Sequence, residues 1–183
     1  MRVPARFRRR SSSEGQSVVE LALILPLLLI LFLAVADLAR IYTTMMTVES
    51  AVREAADFGA WNSSYWEGDP LDPTSNYAKT VEQMVERGCI AARSLPDYDG
   101  PDDACVNPTL TITLTEPDGS PGVNCADETR TVPCRVNVNG AYDFHLLLPL
   151  SLSIGDVQLG LPAQLSFERT SIFAISDFDI DAP

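Results

Sequence analysis

The 183-residue chain has one histidine, His145, and four cysteines, none of them before Cys89. It contains no Gly-x-Ser-x-Gly elbow, no Gly-rich phosphate loop and no His-Glu-x-x-His, so the patterns that carry acyl transfer, nucleotide binding or zinc hydrolysis are missing. Nothing in it points to an enzyme, a cofactor or a small-molecule substrate. The cysteines form no Cys-x-x-Cys pair, and His145 has no partner nearby in sequence, which argues against zinc and leaves no metal site to name. Between Phe144 and Leu146, His145 reads as a hydrogen-bonded core or edge residue rather than a base. Positive charge is also scarce in most of the chain. From Ile41 onward there are seven basic residues against twenty-two acidic ones, a formal charge of about −15. Such a surface repels phosphates and argues against a nucleic-acid partner.

What is present is concentrated at the amino terminus. Met1 to Gly15 forms a basic leader with Arg2, Arg6, Arg8, Arg9 and Arg10, which the positive-inside tendency keeps on the cytoplasmic side. Leu21 to Ala36 is uninterrupted apolar sequence, about 24 Å as a helix. With Val18, Val19, Leu38 and Ala39 it reaches about 33 Å, enough for one membrane crossing, with Glu20 and Asp37 near the two faces. Pro26 inside it is tolerable as a kink in a membrane helix. A cleaved secretory signal is the competing reading, because Ala34-Val35-Ala36 is an A-x-A pattern behind an apolar region. Against it, the helical period continues: Leu38, Ile41, Met45, Val48, Val52, Ala55 and Gly59 form one stripe, with Arg40, Thr44, Thr47, Arg53, Glu54 and Asp57 opposite. One helix to about Ala60 is therefore expected, ended by Trp61, Asn62 and the Gly68-Asp69-Pro70 turn.

The run Gly15-Gln16-Ser17-Val18-Val19-Glu20-Leu21-Ala22-Leu23-Ile24-Leu25-Pro26, followed by Asp37-Leu38-Ala39-Arg40-Ile41-Tyr42 and Ala51-Val52-Arg53-Glu54-Ala55-Ala56, resembles the TadE-like pseudopilins of tight-adherence (Flp) pilus systems. The resemblance implies cleavage after Gly15 by a prepilin peptidase, leaving Gln16 as the new amino terminus and Glu20 close behind it. A glutamate in a lipid-embedded helix is costly unless paired, and a fresh terminal ammonium on a neighbouring subunit suits it, so Glu20 is expected to set subunit registry. Its plain alternative is an interfacial acid solvated by head groups and the leader arginines. The chain lacks a strong aromatic after the glutamate, a departure that favours a minor subunit over a major pilin. The implied partners are pilins, other pilus-assembly membrane proteins and the prepilin peptidase, at the bacterial inner membrane, with a single span and a cytoplasmic amino terminus.

The acidic portion, 61–183, holds Cys89, Cys105, Cys125 and Cys134, an even set that suits two disulfides in an oxidising compartment. Three pairings are possible; Cys89 with Cys105 and Cys125 with Cys134 close the shorter loops. Trp61, Tyr65 and Trp66 either rest at the membrane interface, bind a partner or pack within their loop. Tyr77, Val81, Met84, Val85 and Ile90 mark a second helix, Asn76 to Ser94. Asp97, Asp99, Asp102 and Asp103 around Gly100 could hold calcium or form a solvated turn, and Asp177, Asp179 and Asp181 are open to the same two readings. Alternation predicts strands at Thr109–Thr115, Val132–Phe144 and Pro162–Phe173, with Leu146–Leu152 a buried connection.

The expected architecture is α+β: a leader (1–15), a transmembrane helix with an amphipathic extension (16–60), and an acidic extracytoplasmic part (61–183) in which a second helix packs on a small antiparallel sheet, the lollipop outline of a pilin. The expected role is a minor pseudopilin or membrane assembly factor. The alternative is a signal-anchored or secreted, calcium-dependent binding domain with no connection to pili.

Overall fold

The computed structural model of the chain describes residues 13–101, 103–122, 124–127, 132–147, 151–154, 157–160 and 162–176, with backbone only for 13–15 and for 151–154 and 157–160. The leader arginines, Asp102, and Asp177, Asp179 and Asp181 lie outside the described residues.

One helix, α1 (Ser13–Gly59, 47 residues), runs through Pro26 without a break. Its two halves face different surroundings. From Gln16 to Ala36 every residue is exposed or half-exposed, including Leu23 at 73% and Phe32 at 71%, as a helix that is apolar all round requires when no protein covers it. From Asp37 on, one side is buried along Asp37, Thr44, Val48, Ala51, Val52, Ala55 and Ala56. This seam corrects the expected stripe at two places. Leu38 is exposed and continues the outward apolar surface, whereas Thr44 is buried. The seam follows the small residues that let other elements approach, and hydrophobicity alone does not mark them.

Helix α2 (Asn76–Ala92) starts where the Ser75 hydroxyl accepts the Ala78 N–H at 3.1 Å, and runs back along α1 with Thr80, Met84, Gly88, Cys89 and Ala92 buried. Before it, Trp66 is buried and its indole N–H donates to the Gly59 carbonyl at 2.8 Å, closing the end of α1. Strands β1 (Thr109–Thr115), β2 (Arg135–His145) and β5 (Gln164–Ala174) make an antiparallel sheet in the order β1-β2-β5. Val136, Val138, Gly140, Tyr142 and Phe144 of β2 alternate onto α1, and Asn137, Asn139 and Asp143 onto the open face. The observed class is α+β, as expected. Between β2 and β5, where a connection was expected, lies a separate hairpin of β3 (Ser151–Ile154) and β4 (Val157–Gly160), its strands too short for alternation to stand out in the sequence.

The core divides along α1. Val52, Ala55, Ala56, Ala60, Trp66, Met84, Val136, Val138 and Ile175 fill the end far from the apolar segment, while Val48, Ala51, Ala92, Leu95, Tyr142, Phe144 and Leu146 fill the near end. Strand β2 thus runs toward Asp37. Disulfides Cys89–Cys105 and Cys125–Cys134 close the two shorter loops. Bridges over loops of this size contribute about 2–4 kcal/mol, largely by restricting the unfolded chain.

A Cβ at Gly140 would stand 2.5 Å from Val52 Cγ1, which is wholly buried. Gly140→Val is expected to destabilise the fold by about 1–3 kcal/mol, since an overpacked seam must shift backbone. Urea titration of the full chain in detergent, followed by tryptophan emission, checks this through a lowered midpoint at unchanged slope.

Candidate assembly interface

The surface that sets this chain apart is the bare apolar half of α1 and the polar groups at its two ends. At one end, Gly15 and Gln16 lie in the first turn of the described helix. The Gln16 side-chain amide donates to Glu20 Oε1 at 3.1 Å, the i to i+4 contact that a helix offers, and both residues are exposed. Glu20 therefore meets a donor of its own chain while remaining open to another. Between Val18 and Ala36 the helix covers about 28 Å, close to the hydrocarbon thickness of a bilayer.

At the other end the structure adds a junction that sequence reasoning missed. Asp37 is 6% exposed, and its Oδ1 accepts the Leu147 N–H at 3.2 Å and the Arg40 guanidinium at 3.2 Å. Arg40 in turn lies over the Phe144 ring, 4.9 Å from its centroid. An aspartate with an arginine three residues on was readable as an ion pair; the Leu147 N–H, 110 residues away, was not. The foot of the folded body is thereby fastened to the turn of α1 where the apolar run stops.

Elsewhere the residues singled out in the sequence make contacts within the fold. The Asp97 carboxylate accepts the His145 N–H at 2.9 Å, and its N–H donates to the Tyr142 hydroxyl oxygen at 3.0 Å. Burial pushes the Tyr142 hydroxyl pKa above its ordinary value, opposed in part by that Asp97 N–H. The Asn107 amide donates to the carbonyls of Asp97 and Asp143 at 2.7 and 2.9 Å, binding the acidic loop to β2. These residues line an open groove of about 750 Å³. The Sγ atoms of Cys125 and Cys134 lie near Glu116, but both are spent in a disulfide and offer no thiolate for a metal. Trp61 and Tyr65 sit past the far end of α1, about 33 Å along the helix from Asp37, so the apolar segment does not bring them to a membrane interface. Tyr65 stacks on Phe58 instead, which also carries Arg87 at 4.3 Å.

Residues 15–57 match the family described as TadE-like protein, under a quarter of the chain. No curated protein and no solved structure matches it. The matched segment spans the bare half of α1 and most of the buried seam, and the family is associated with Tad pilus assembly and is generally non-enzymatic.

Asp37→Ala removes the carboxylate that accepts the Leu147 N–H in a part-buried hydrogen bond, a loss of about 1.5–3 kcal/mol for a bond to a charged group, while Asp37→Asn keeps an acceptor oxygen and is expected to cost less. Amide hydrogen exchange at Leu147 is the measurement: faster in Asp37→Ala, intermediate in Asp37→Asn.

Proposed function

We propose that this chain, whose residues 15–57 are TadE-like, is a minor pseudopilin or membrane assembly factor of a tight-adherence pilus. The observation that carries the reading is the bare apolar helix from Gln16 to Ala36 bearing a single carboxylate, Glu20, near its start. Such a surface gains nothing in water and fits lipid together with neighbouring helices. In this reading α1 crosses the inner membrane once, the arginine leader stays in the cytoplasm, and the acidic body stands outside. The two disulfides suit that oxidising side. Prepilin peptidase cuts after Gly15, and Glu20 meets the terminal ammonium of an adjacent pilin or assembly protein. Gln16, through its amide contact, holds one carboxylate oxygen and leaves the other for that partner.

Mass spectrometry of the mature amino terminus from native membranes tests the processing. A chain beginning at Gln16 is expected; one beginning at Asp37 would mean a secreted domain, and an intact Met1 a plain anchor. Glu20→Ala is expected to leave insertion and cleavage unchanged and to lower recovery of partner pilins by about tenfold, the loss of roughly 1.4 kcal/mol of pairing. Undiminished co-purification would remove Glu20 from the interface.

A further inference from the structure

The side of α1 turned away from the body carries an apolar row that does not stop where the apolar segment stops. Val35, Leu38, Tyr42 and Met46 recur at three- and four-residue steps, opposite the seam of Asp37, Thr44, Val48 and Ala55, and each is more than half exposed. Glu49 and Arg53, paired at 3.0 Å, end the row. With Val18 to Ala36 in the hydrocarbon, Met46 stands about 15 Å beyond its edge, whereas head groups add only about 5–8 Å on each side. Lipid thus reaches Leu38 but leaves Met46 without apolar cover.

Beside this row runs a second one of small residues, Ala39, Thr43 and Thr47. The Thr43 hydroxyl lies within reach of the Ala39 and Arg40 carbonyls, at 3.2 and 2.9 Å, and the Thr47 hydroxyl donates to the Thr43 carbonyl at 3.1 Å, so neither needs a partner across the row. A ridge of large side chains next to a furrow of small ones is the relief by which two helices interlock at close range. It is also self-complementary: about a two-fold axis running along α1, the ridge of each copy enters the furrow of the other. Charge points the same way. From Ile41 onward the chain carries about −15 and repels its like, yet the outward rows from Val35 to Arg53 hold one acid and one base, Glu49 and Arg53, which cancel.

We propose that two copies of this chain pair side by side through the outward face of α1, just outside the membrane that α1 crosses. The ridge of Leu38, Tyr42 and Met46 of each copy is seated in the furrow of Ala39, Thr43 and Thr47 of the other. The inference rests on that crossing, which holds both copies upright and parallel, as the two-fold axis requires. A second copy is the occupant because the relief fits itself and because this face, unlike the rest of the acidic body, lets a like-charged chain approach. The contact outside the bilayer is short, but it is continuous with the bare apolar half of α1, which extends it below Asp37. Glu49 and Arg53 close it at the top.

The test uses the full chain in native membranes. Its four cysteines are held in two disulfides, so one added thiol reports on its own position. Thr43→Cys and Met46→Cys place that thiol in the contact, and Thr111→Cys places it on the exposed face of the sheet. Oxidation by copper phenanthroline is expected to link the first two into a covalent dimer of twice the chain mass and to leave Thr111→Cys monomeric. Filling the furrow with Ala39→Leu is expected to lower the Met46→Cys dimer yield by about tenfold, while Tyr42→Phe, which keeps the ridge, leaves it unchanged. A yield untouched by Ala39→Leu would overturn the interlocking of ridge and furrow. Low yields at all three positions, with the chain retained in the membrane after carbonate extraction, would overturn the pairing and leave the crossing intact. A cross-linked band of another mass would assign the face to a different protein and equally overturn it. Release of the chain by carbonate would remove the crossing and this inference with it.

Discussion

The fit of α1 against its neighbours depends on residues too small to hold them apart. Ala51, Ala55 and Gly59 on α1 meet Gly88 and Met84 of α2, and Val48 and Val52 meet Gly140 of β2. At Gly59, Gly88 and Gly140 a Cβ would stand within about 2.5 Å of a neighbouring side-chain atom, so each glycine leaves the space that a neighbour's side chain fills. Close approach lets one helix serve as the wall for α2, β2 and β5 together. Those elements in turn cover only the half of α1 beyond Asp37.

A single rod thus presents two kinds of surface. Below Asp37 its backbone is satisfied within the helix and its side chains are apolar on all sides, which suits lipid. Above Asp37 it is one-sided and carries Glu49, Arg53, Glu54 and Asp57 on its outer surface, with Arg53 and Glu49 paired at 3.0 Å. The change of character falls within one turn, and there the structure spends a buried carboxylate, a guanidinium and the backbone N–H of Leu147, just past the end of β2. A body hung only from the end of α1 would swing at that point; Asp37, Arg40 and Phe144 remove the freedom.

Much of this was legible in the sequence because it is local. The long helix, the second helix, the strand at Thr109–Thr115 and the α+β class follow from period and turn residues, and the TadE-like segment from an ordered set of glycine, glutamate and proline. What was not legible depends on contacts between distant positions. Thr44 belongs to the buried seam and Leu38 does not, because packing partners from β2 and β5 choose the face, and no count of apolar residues supplies them. The Asp37–Leu147 bond has no local trace. Asp97 carried a calcium reading as one of several acids in a loop, yet its carboxylate accepts the backbone N–H of His145, 48 residues away, a use that its neighbours in sequence cannot reveal.

The continuity of α1 through Pro26 and past Asp37 has a mechanical meaning. With no loop between its apolar half and the packed body, rotation of the helix about its own axis is rotation of everything attached to it, about 100° for each residue gained or lost between them. The compass bearing of the acidic body around the axis of α1, relative to Glu20, is therefore written in the number of residues separating Glu20 from Asp37. On the registry role proposed for Glu20, the same rod that meets a neighbour at one end also sets the bearing of the body at the other.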